Sequence, residues 1–408
     1  MGATTYYRKG FGLKQAIQGE LDKDYHSALV DYFRQHEFRL EADGLTILLA
    51  REFGFCYGVD RAVEYAYETR RKFPHRRIHI KGEIIHNPHV NRRLREMGIE
   101  PLLSSGDETG PGFQAVQPED VVILPAFGVT MKEFQELRQL GCILVDTTCG
   151  SVLNVWKNVD EYARDGFTSV IHGKYYHEET RATASRALQE PGGHFLVVRD
   201  MNETERVVRF IEDGGDAEEF LQSFRQGAFS VGFDPTVHLN RIGLANQTTM
   251  LSTESLAIGR RLQEAMLARY GKEDLTAHFR SFDTICSATQ DRQDAIEELI
   301  REPLQAVLVI GGYNSSNTNN LARMGSKAAP TFHIEEASCI LDAHYICHKP
   351  VDGHDEILAV DWLLEGPARI GITAGASTPS NKIGEVVERV LRCRNLDPAA
   401  FVSVTASS

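Results

Sequence analysis

Three of the seven cysteines in this chain share a local setting that favours chemistry over packing. Cys56 lies in Phe53-Gly-Phe-Cys-Tyr-Gly-Val-Asp-Arg-Ala62, behind the apolar run Leu45-Thr-Ile-Leu-Leu-Ala50. After it, Val59, Ala62, Val63, Ala66 and Tyr67 fall on one helical face. Cys149 ends Cys142-Ile-Leu-Val-Asp-Thr-Thr and precedes Gly-Ser-Val-Leu-Asn; Cys286 ends Ser281-Phe-Asp-Thr-Ile and precedes Ser-Ala-Thr-Gln-Asp-Arg-Gln. Each stands where extended sequence gives way to an amphipathic helix, and a helix N-terminus favours the thiolate. Three thiolates from separate segments suit an iron–sulfur cluster with one iron left without a protein ligand, or a three-cysteine zinc site. Ligand softness does not choose between them, and three inert core cysteines are a further reading. An open metal position is where a substrate binds.

A second group of residues suits an anion. His86 and His177 lie in loops after apolar runs, as do Ser315, Ser316 and Asn317 in Gly311-Gly-Tyr-Asn-Ser-Ser-Asn317, and Ser377 in Ala374-Gly-Ala-Ser377. Hydroxyls, amides and imidazoles can surround phosphate oxygens without an arginine cluster. The serine-rich loop is no Walker sequence and also suits a helix N-cap. Glu179, two residues after His177, could deliver protons in a secluded site, although a lone acid more often faces solvent. Thr248, in Asn246-Gln-Thr-Thr-Met250, could link a substrate hydroxyl to that acid, although alone it suits strand sequence.

These residues need elements to position them. From residue 45 onward short apolar runs alternate with polar loops and helical patterns, the signature of an α/β architecture. In open α/β sheets ligands bind beyond the carboxyl ends of strands, where all these loops lie. The segments between successive cysteines each fit one α/β unit. The expected organisation is an N-terminal extension over 1–44, units over 45–149, 150–285 and 286–380, and a C-terminal helix and tail over 381–408. The strand at 45–50 is expected to pair into the third unit. In the extension, Leu21, Tyr25, Ala28, Leu29, Tyr32 and Phe33 predict an amphipathic helix packed on the main body.

Composition excludes several classes. With 44 basic against 57 acidic residues and a net charge of −13, nucleic acid is a poor partner. Seven cysteines at irregular spacing, without a CxxC pair, give neither a disulfide framework nor a zinc ribbon. No apolar run approaches the roughly 18 residues of a membrane span. The N-terminal Met1-Gly-Ala-Thr-Thr-Tyr-Tyr-Arg-Lys has no signal-like apolar core, no Ser-rich transit character and no myristoylation pattern, so a cytoplasmic protein is expected.

Taken together, Gly54-Phe-Cys-Tyr-Gly-Val-Asp-Arg-Ala62, Ile85-His-Asn87, Asp146-Thr-Thr-Cys149, His177-Glu-Glu179, Gln247-Thr-Thr249, Thr284-Ile-Cys286, Asn314-Ser-Ser-Asn317 and Thr373-Ala-Gly-Ala-Ser377 resemble the 4-hydroxy-3-methylbut-2-enyl diphosphate reductase family, in the same order along the chain. The resemblance implies three α/β units arranged pseudo-threefold around a central 4Fe–4S cluster held by Cys56, Cys149 and Cys286, its fourth iron open to the substrate hydroxyl. It implies that His86, His177, Ser315, Ser316, Asn317 and Ser377 bind the diphosphate, with Thr248 near the reacting hydroxyl and Glu179 as proton source. The implied reaction is reductive dehydroxylation of an allylic diphosphate to isopentenyl and dimethylallyl diphosphates. A non-redox hydro-lyase with an open-iron cluster is the alternative.

One position departs from the common bacterial pattern. Where that branch has a diphosphate-contacting histidine before Gly-Val, this chain has Phe127-Gly128-Val129, which makes Phe127 a wall of the pocket. This residue and the N-terminal extension resemble the cyanobacterial and plant-type branch, which implies a ferredoxin-type electron donor. The basic run Arg70-Arg-Lys-Phe-Pro-His-Arg-Arg77 is either a solvated helix end or a docking patch for such an acidic partner. Cys142, Cys339, Cys347 and Cys393 match no ligand position and are expected to be ordinary.

Overall fold

The computed structural model describes residues 5–102, 112–282, 284–363 and 365–402. Met1–Thr4, which contribute to the leader reading, lie outside them, as does part of each terminal segment. The chain divides into two compact units. One comprises Met1–Lys9, His75–Gly82 and Glu100–Cys286, the other Gly10–Pro74, Glu83–Ile99 and Ser287–Ser408.

The first unit holds two sheets. Five strands run in the order Tyr6–Tyr7, Ile143–Asp146, Val121–Leu124, Ile78–Lys81 and Ile99–Leu102. Four more, all parallel, run in the order Phe279–Ser281, Ile242–Asn246, Thr168–His172 and Phe195–Val198. Valine- and isoleucine-rich runs such as Val121–Leu124 are buried along their whole length, as strands covered on both faces must be. Helices cover them, some opened by a short polar side chain. Thr130 and Glu133 form a reciprocal capping box on Met131–Gln139, and Asp200 caps Met201–Asp213. The sequence pattern gave no warning of the 27-residue helical stretch Ser252–His278, which is interrupted at Gly271 where φ is +75°.

In the second unit five strands run in the order Thr331–Ile334, Ala306–Ile310, Ala368–Ala374, Leu45–Leu49 and Arg39–Ala42. Leu45–Leu49 pairs in parallel with Ala368–Ala374, near the far end of the chain. A two-stranded hairpin joins Tyr345–His348 to Ile357–Val360. The core gathers Ile47, Leu49, Leu308, Ile310, Ile370 and Ile372 from the strands with Val386, Val390 and Leu391 from the last long helix.

The N-terminal extension corrects the expectation of one helix. It forms two, Lys14–Tyr25 and Ala28–Gln35, because His26 is extended and the Ser27 hydroxyl accepts from Val30 N to start the second. It also contributes the edge strand Arg39–Ala42, antiparallel to Leu45–Leu49. The two-residue loop Asp43-Gly44 has φ of +42° and +79°, the left-handed pair that a tight hairpin turn demands. Among the described residues no helix is long and apolar enough to cross a membrane.

Candidate active site

The candidate residues divide between the two units. In the second unit Cys56 is the N-cap of the helix Tyr57–Lys72, in extended conformation (φ −87°, ψ 164°). Its amide donates to Ala376 O at 3.1 Å. Gly54 makes the approach with φ +72°; a β-carbon there would stand 3.1 Å from Thr378 O, so the position needs glycine on both counts. The Ala376 amide in turn donates to Asn317 Oδ1 at 3.0 Å, and the Ser377 hydroxyl donates to His86 O at 3.1 Å. One short network therefore joins the backbones of Cys56 and His86 to the side chains of Asn317 and Ser377. Gly312 closes against it: a β-carbon there would meet His86 O at 2.6 Å.

Ser315 caps the helix Ser316–Gly325, accepting from Thr318 N at 3.3 Å and from the Thr318 hydroxyl at 3.0 Å. The capping reading of this loop therefore describes Ser315 correctly. Ser316 and Asn317 form the first helical turn, where backbone N–H groups face outward with the positive end of the dipole. Asn317 is 2% exposed, and its Nδ2 is a buried donor without a partner among the described residues. A buried, unsatisfied donor beside a helix N-terminus suits an anion.

In the first unit Cys149 is the N-cap of Gly150–Arg164 and its amide donates to Ala126 O at 2.9 Å. The loop before it is braced by Asp146, whose Oδ1 accepts from Thr148 N at 3.0 Å and from the Thr148 hydroxyl at 2.5 Å. Its other oxygen accepts from the Tyr6 hydroxyl at 2.5 Å. His177 caps Glu178–Ala187; its Nδ1 accepts from Glu179 N at 3.1 Å, which leaves Nε2 to carry the ring proton. The Phe127 ring stands edge-on to this imidazole, centroids 6.1 Å apart.

Glu179 is 3% exposed and Thr248 5%, so neither is the solvated or strand residue its surroundings in sequence suggest. Thr248 follows the strand Ile242–Asn246, and its amide donates to Glu179 Oε1 at 2.6 Å. Thr248 O accepts from Cys286 N at 3.4 Å. Cys286 immediately precedes the helix Ser287–Leu299. Acid, threonine and cysteine are thus bonded in series through the backbone of residue 248.

Some supporting residues lack an individual signal in the sequence. Gln247 Oε1 accepts from Lys174 N at 3.0 Å and from the Thr180 hydroxyl at 3.1 Å, fastening the Thr248 loop to the segment around His177. The Thr284 hydroxyl accepts from Asn246 N at 2.8 Å. Small polar residues flanking a candidate ligand are the signal the sequence offers for them. A cavity of about 610 Å³ in this unit is lined by Tyr6, Asp146, Thr148 and Trp156 among others, but by none of the eleven candidate residues.

Cys56, Cys149 and Cys286 are all half-buried at helix starts, whereas Cys142 is sealed in the core and burial pushes its thiol up to about 11. His172 is wholly buried with Nδ1 2.8 Å from Ser255 Oγ, and burial pushes its pKa down to about 4, so it is a neutral structural group.

Parallel α/β sheets whose strand-to-helix loops carry three thiols, a buried acid and neutral hydrogen-bond donors define the chain as an α/β protein. Within that class the chain belongs to the LytB protein family, whose model matches residues 47–391. It is 48% identical over 387 residues, 94% of each chain, to a protein of Microcystis aeruginosa named 4-hydroxy-3-methylbut-2-enyl diphosphate reductase. It is 45% identical over 410 residues to a Gloeobacter violaceus protein of the same name, covering all of this chain and 97% of that one. The solved structure of (E)-4-hydroxy-3-methyl-but-2-enyl diphosphate reductase, the terminal enzyme of the non-mevalonate pathway, is 26% identical with a TM-score of 0.51, over 85% of this chain and 99% of that one. The corresponding Plasmodium falciparum structure shares the fold, with a TM-score of 0.60 at 19% identity over 85% and 87% of the two chains.

Proposed function

We propose that this chain catalyses reductive dehydroxylation of 4-hydroxy-3-methylbut-2-enyl diphosphate to isopentenyl and dimethylallyl diphosphates, the last step of the non-mevalonate route. Two electrons and two protons enter, the allylic C–O bond breaks, and water leaves. Relatives of that name over almost the full length support the reading. The observation that carries it is the buried Glu179–Thr248 pair bonded in series to the Cys286 loop.

The proposed cofactor is a 4Fe–4S cluster held by Cys56, Cys149 and Cys286. The donor set fits: three half-buried thiols at equivalent backbone positions are soft ligands, and a three-cysteine set leaves one iron open. When bound, the cluster supplies electrons singly and a Lewis-acidic iron. The chain's own residues do the rest. Glu179, held by Thr248 N, is the proposed proton donor to the leaving hydroxyl, with the Thr248 side chain orienting that hydroxyl. His86, His177, Ser315, Ser316, Asn317 and Ser377 are the proposed diphosphate ligands, fixing the substrate so that binding energy is used for orientation. The same reading carries three α/β units sharing a centre, with the unit boundaries given above.

The proposed electron donor is a ferredoxin-type protein, and the proposed location is the cytoplasm. Within the basic run, Arg70 donates to Gly98 O at 2.8 Å and Arg76 to Glu119 O at 2.7 Å. Arg77 pairs with the buried Asp120 at 2.6 Å. Arg71 and Lys72 are left as the exposed charges best suited to a partner.

The test is anaerobic Mössbauer and EPR spectroscopy of the iron- and sulfide-reconstituted protein, with and without substrate, beside turnover assays. Substrate should alter one iron site, and product should form only when dithionite or reduced ferredoxin is supplied. Turnover without a reductant would instead favour the hydro-lyase.

A further inference from the structure

Arg292 lies on the helix Ser287–Leu299, whose first residue follows Cys286. The residue is 4% exposed, and its guanidinium is permanently charged. Among the described residues it is the most buried arginine; Arg77, Arg93 and Arg186 meet the carboxylates of Asp120, Asp24 and Asp160, and arginines that hold only carbonyls, such as Arg70 and Arg76, are more exposed. Arg292 Nη1 donates to Ala288 O and Nη2 to Gly54 O, each at 2.7 Å, and Nε is buried without a partner among the described residues. Among the described residues no carboxylate lies within 4.0 Å of it. A buried cation without a counter-charge is costly, and proteins retain one where an anion compensates it.

The place of this charge indicates the anion. Gly54, whose carbonyl it holds, is two residues before Cys56. The bond to Ala288 O, four residues back, shows the side chain curled towards the helix start that follows Cys286. Arg292 therefore ties its charge to the loop of one proposed ligand and aims it along the helix opened by another.

We infer that Arg292 is a positioning residue and the buried counter-ion of the cluster; this rests on the reading that Cys56 and Cys286 are cluster ligands. A 4Fe–4S centre with three thiolates is anionic when oxidised. One electron, delivered by an external low-potential reductant, makes it more negative without any bond forming or breaking. A fixed cation stabilises the reduced form more than the oxidised form, so Arg292 raises the midpoint potential. It does so while holding the Gly54 carbonyl that sets the Cys56 turn.

The experiment compares the full-length, anaerobically reconstituted wild type with Arg292→Gln, Arg292→Met and Arg292→Lys. It reads midpoint potential by EPR-monitored titration, cluster loss to a chelator, and thermal unfolding of the cluster-free proteins. The neutral variants should have a lower potential and lose the cluster faster. Arg292→Lys should stay nearer the wild type, and the cluster-free neutral variants should be at least as stable as cluster-free wild type. A neutral variant at the wild-type potential, or Lys displaced as far as Gln, overturns the inference. So does a neutral variant whose cluster-free form is destabilised or fails to fold, because that would make Arg292 purely structural. Failure of the wild type to take up a cluster would be seen before any variant is compared, and would count against the cofactor reading instead.

Discussion

The candidate residues of the two units differ in kind. In the first, the candidate residues include an ionisable acid buried to 3% exposure, whose carboxylate takes the Thr248 amide at 2.6 Å. In the second, the loop residues Ser315, Ser316, Asn317 and Ser377 are neutral, and what they offer is N–H and O–H donors around a buried, unsatisfied amide. A proton source changes its charge during a reaction, whereas hydroxyl and amide donors do not; the proposed anchor adds to these the imidazoles of His86 and, from the first unit, His177. On the proposed reading the acid responds to the reacting hydroxyl, while the hydroxyl and amide donors keep a constant field.

That contrast can be broken first at the thiols common to both units. Cys56→Ser, Cys149→Ser or Cys286→Ser should each abolish stable cluster absorbance and all turnover, while Cys142→Ser should leave both near wild type. Next, Glu179→Gln should keep the cluster and leave KM little changed, but lower kcat by about 10²–10⁴-fold, the usual contribution of a general acid. Thr248→Ser should stay close to wild type, because the backbone amide that holds Glu179 survives.

On the anchor side, Asn317→Ala or Ser377→Ala should act chiefly on KM. Losing one hydrogen bond to a charged ligand corresponds to roughly 1.5–3 kcal/mol, about ten- to a hundredfold in substrate binding. Equal losses of kcat in Glu179→Gln and Asn317→Ala would erase the distinction between the two regions. The smallest effect is expected at the surface. Arg71→Glu with Lys72→Glu should slow ferredoxin-driven turnover severalfold at low salt, less at high salt, and leave dithionite-driven turnover unchanged.

Much of the fold was legible because local rules and tertiary packing agree. The apolar runs at 121–124, 168–171 and 306–310 became buried strands, and Thr130, Asn87 and Ser315 became the caps that their residue types favour. In the extension apolar spacing continues across His26-Ser27 and predicts one helix, although Ser27 starts a second helix there. At the site, the flanks of Cys56 and Cys149 marked both as helix starts. Nothing local marked Glu179 as buried, since burial depends on neighbours contributed by distant segments.

By itself the sequence determined residue types, their order and the places where strands give way to helices, because those follow from side-chain periodicity and capping over a few residues. The tertiary structure alone decided which of them meet. It paired Leu45–Leu49 with Ala368–Ala374, set Thr248 N on Glu179 and brought the Arg292 guanidinium to Gly54 O. Those contacts join residues far apart in the chain, and their strength comes from the low-dielectric interior that the whole fold creates.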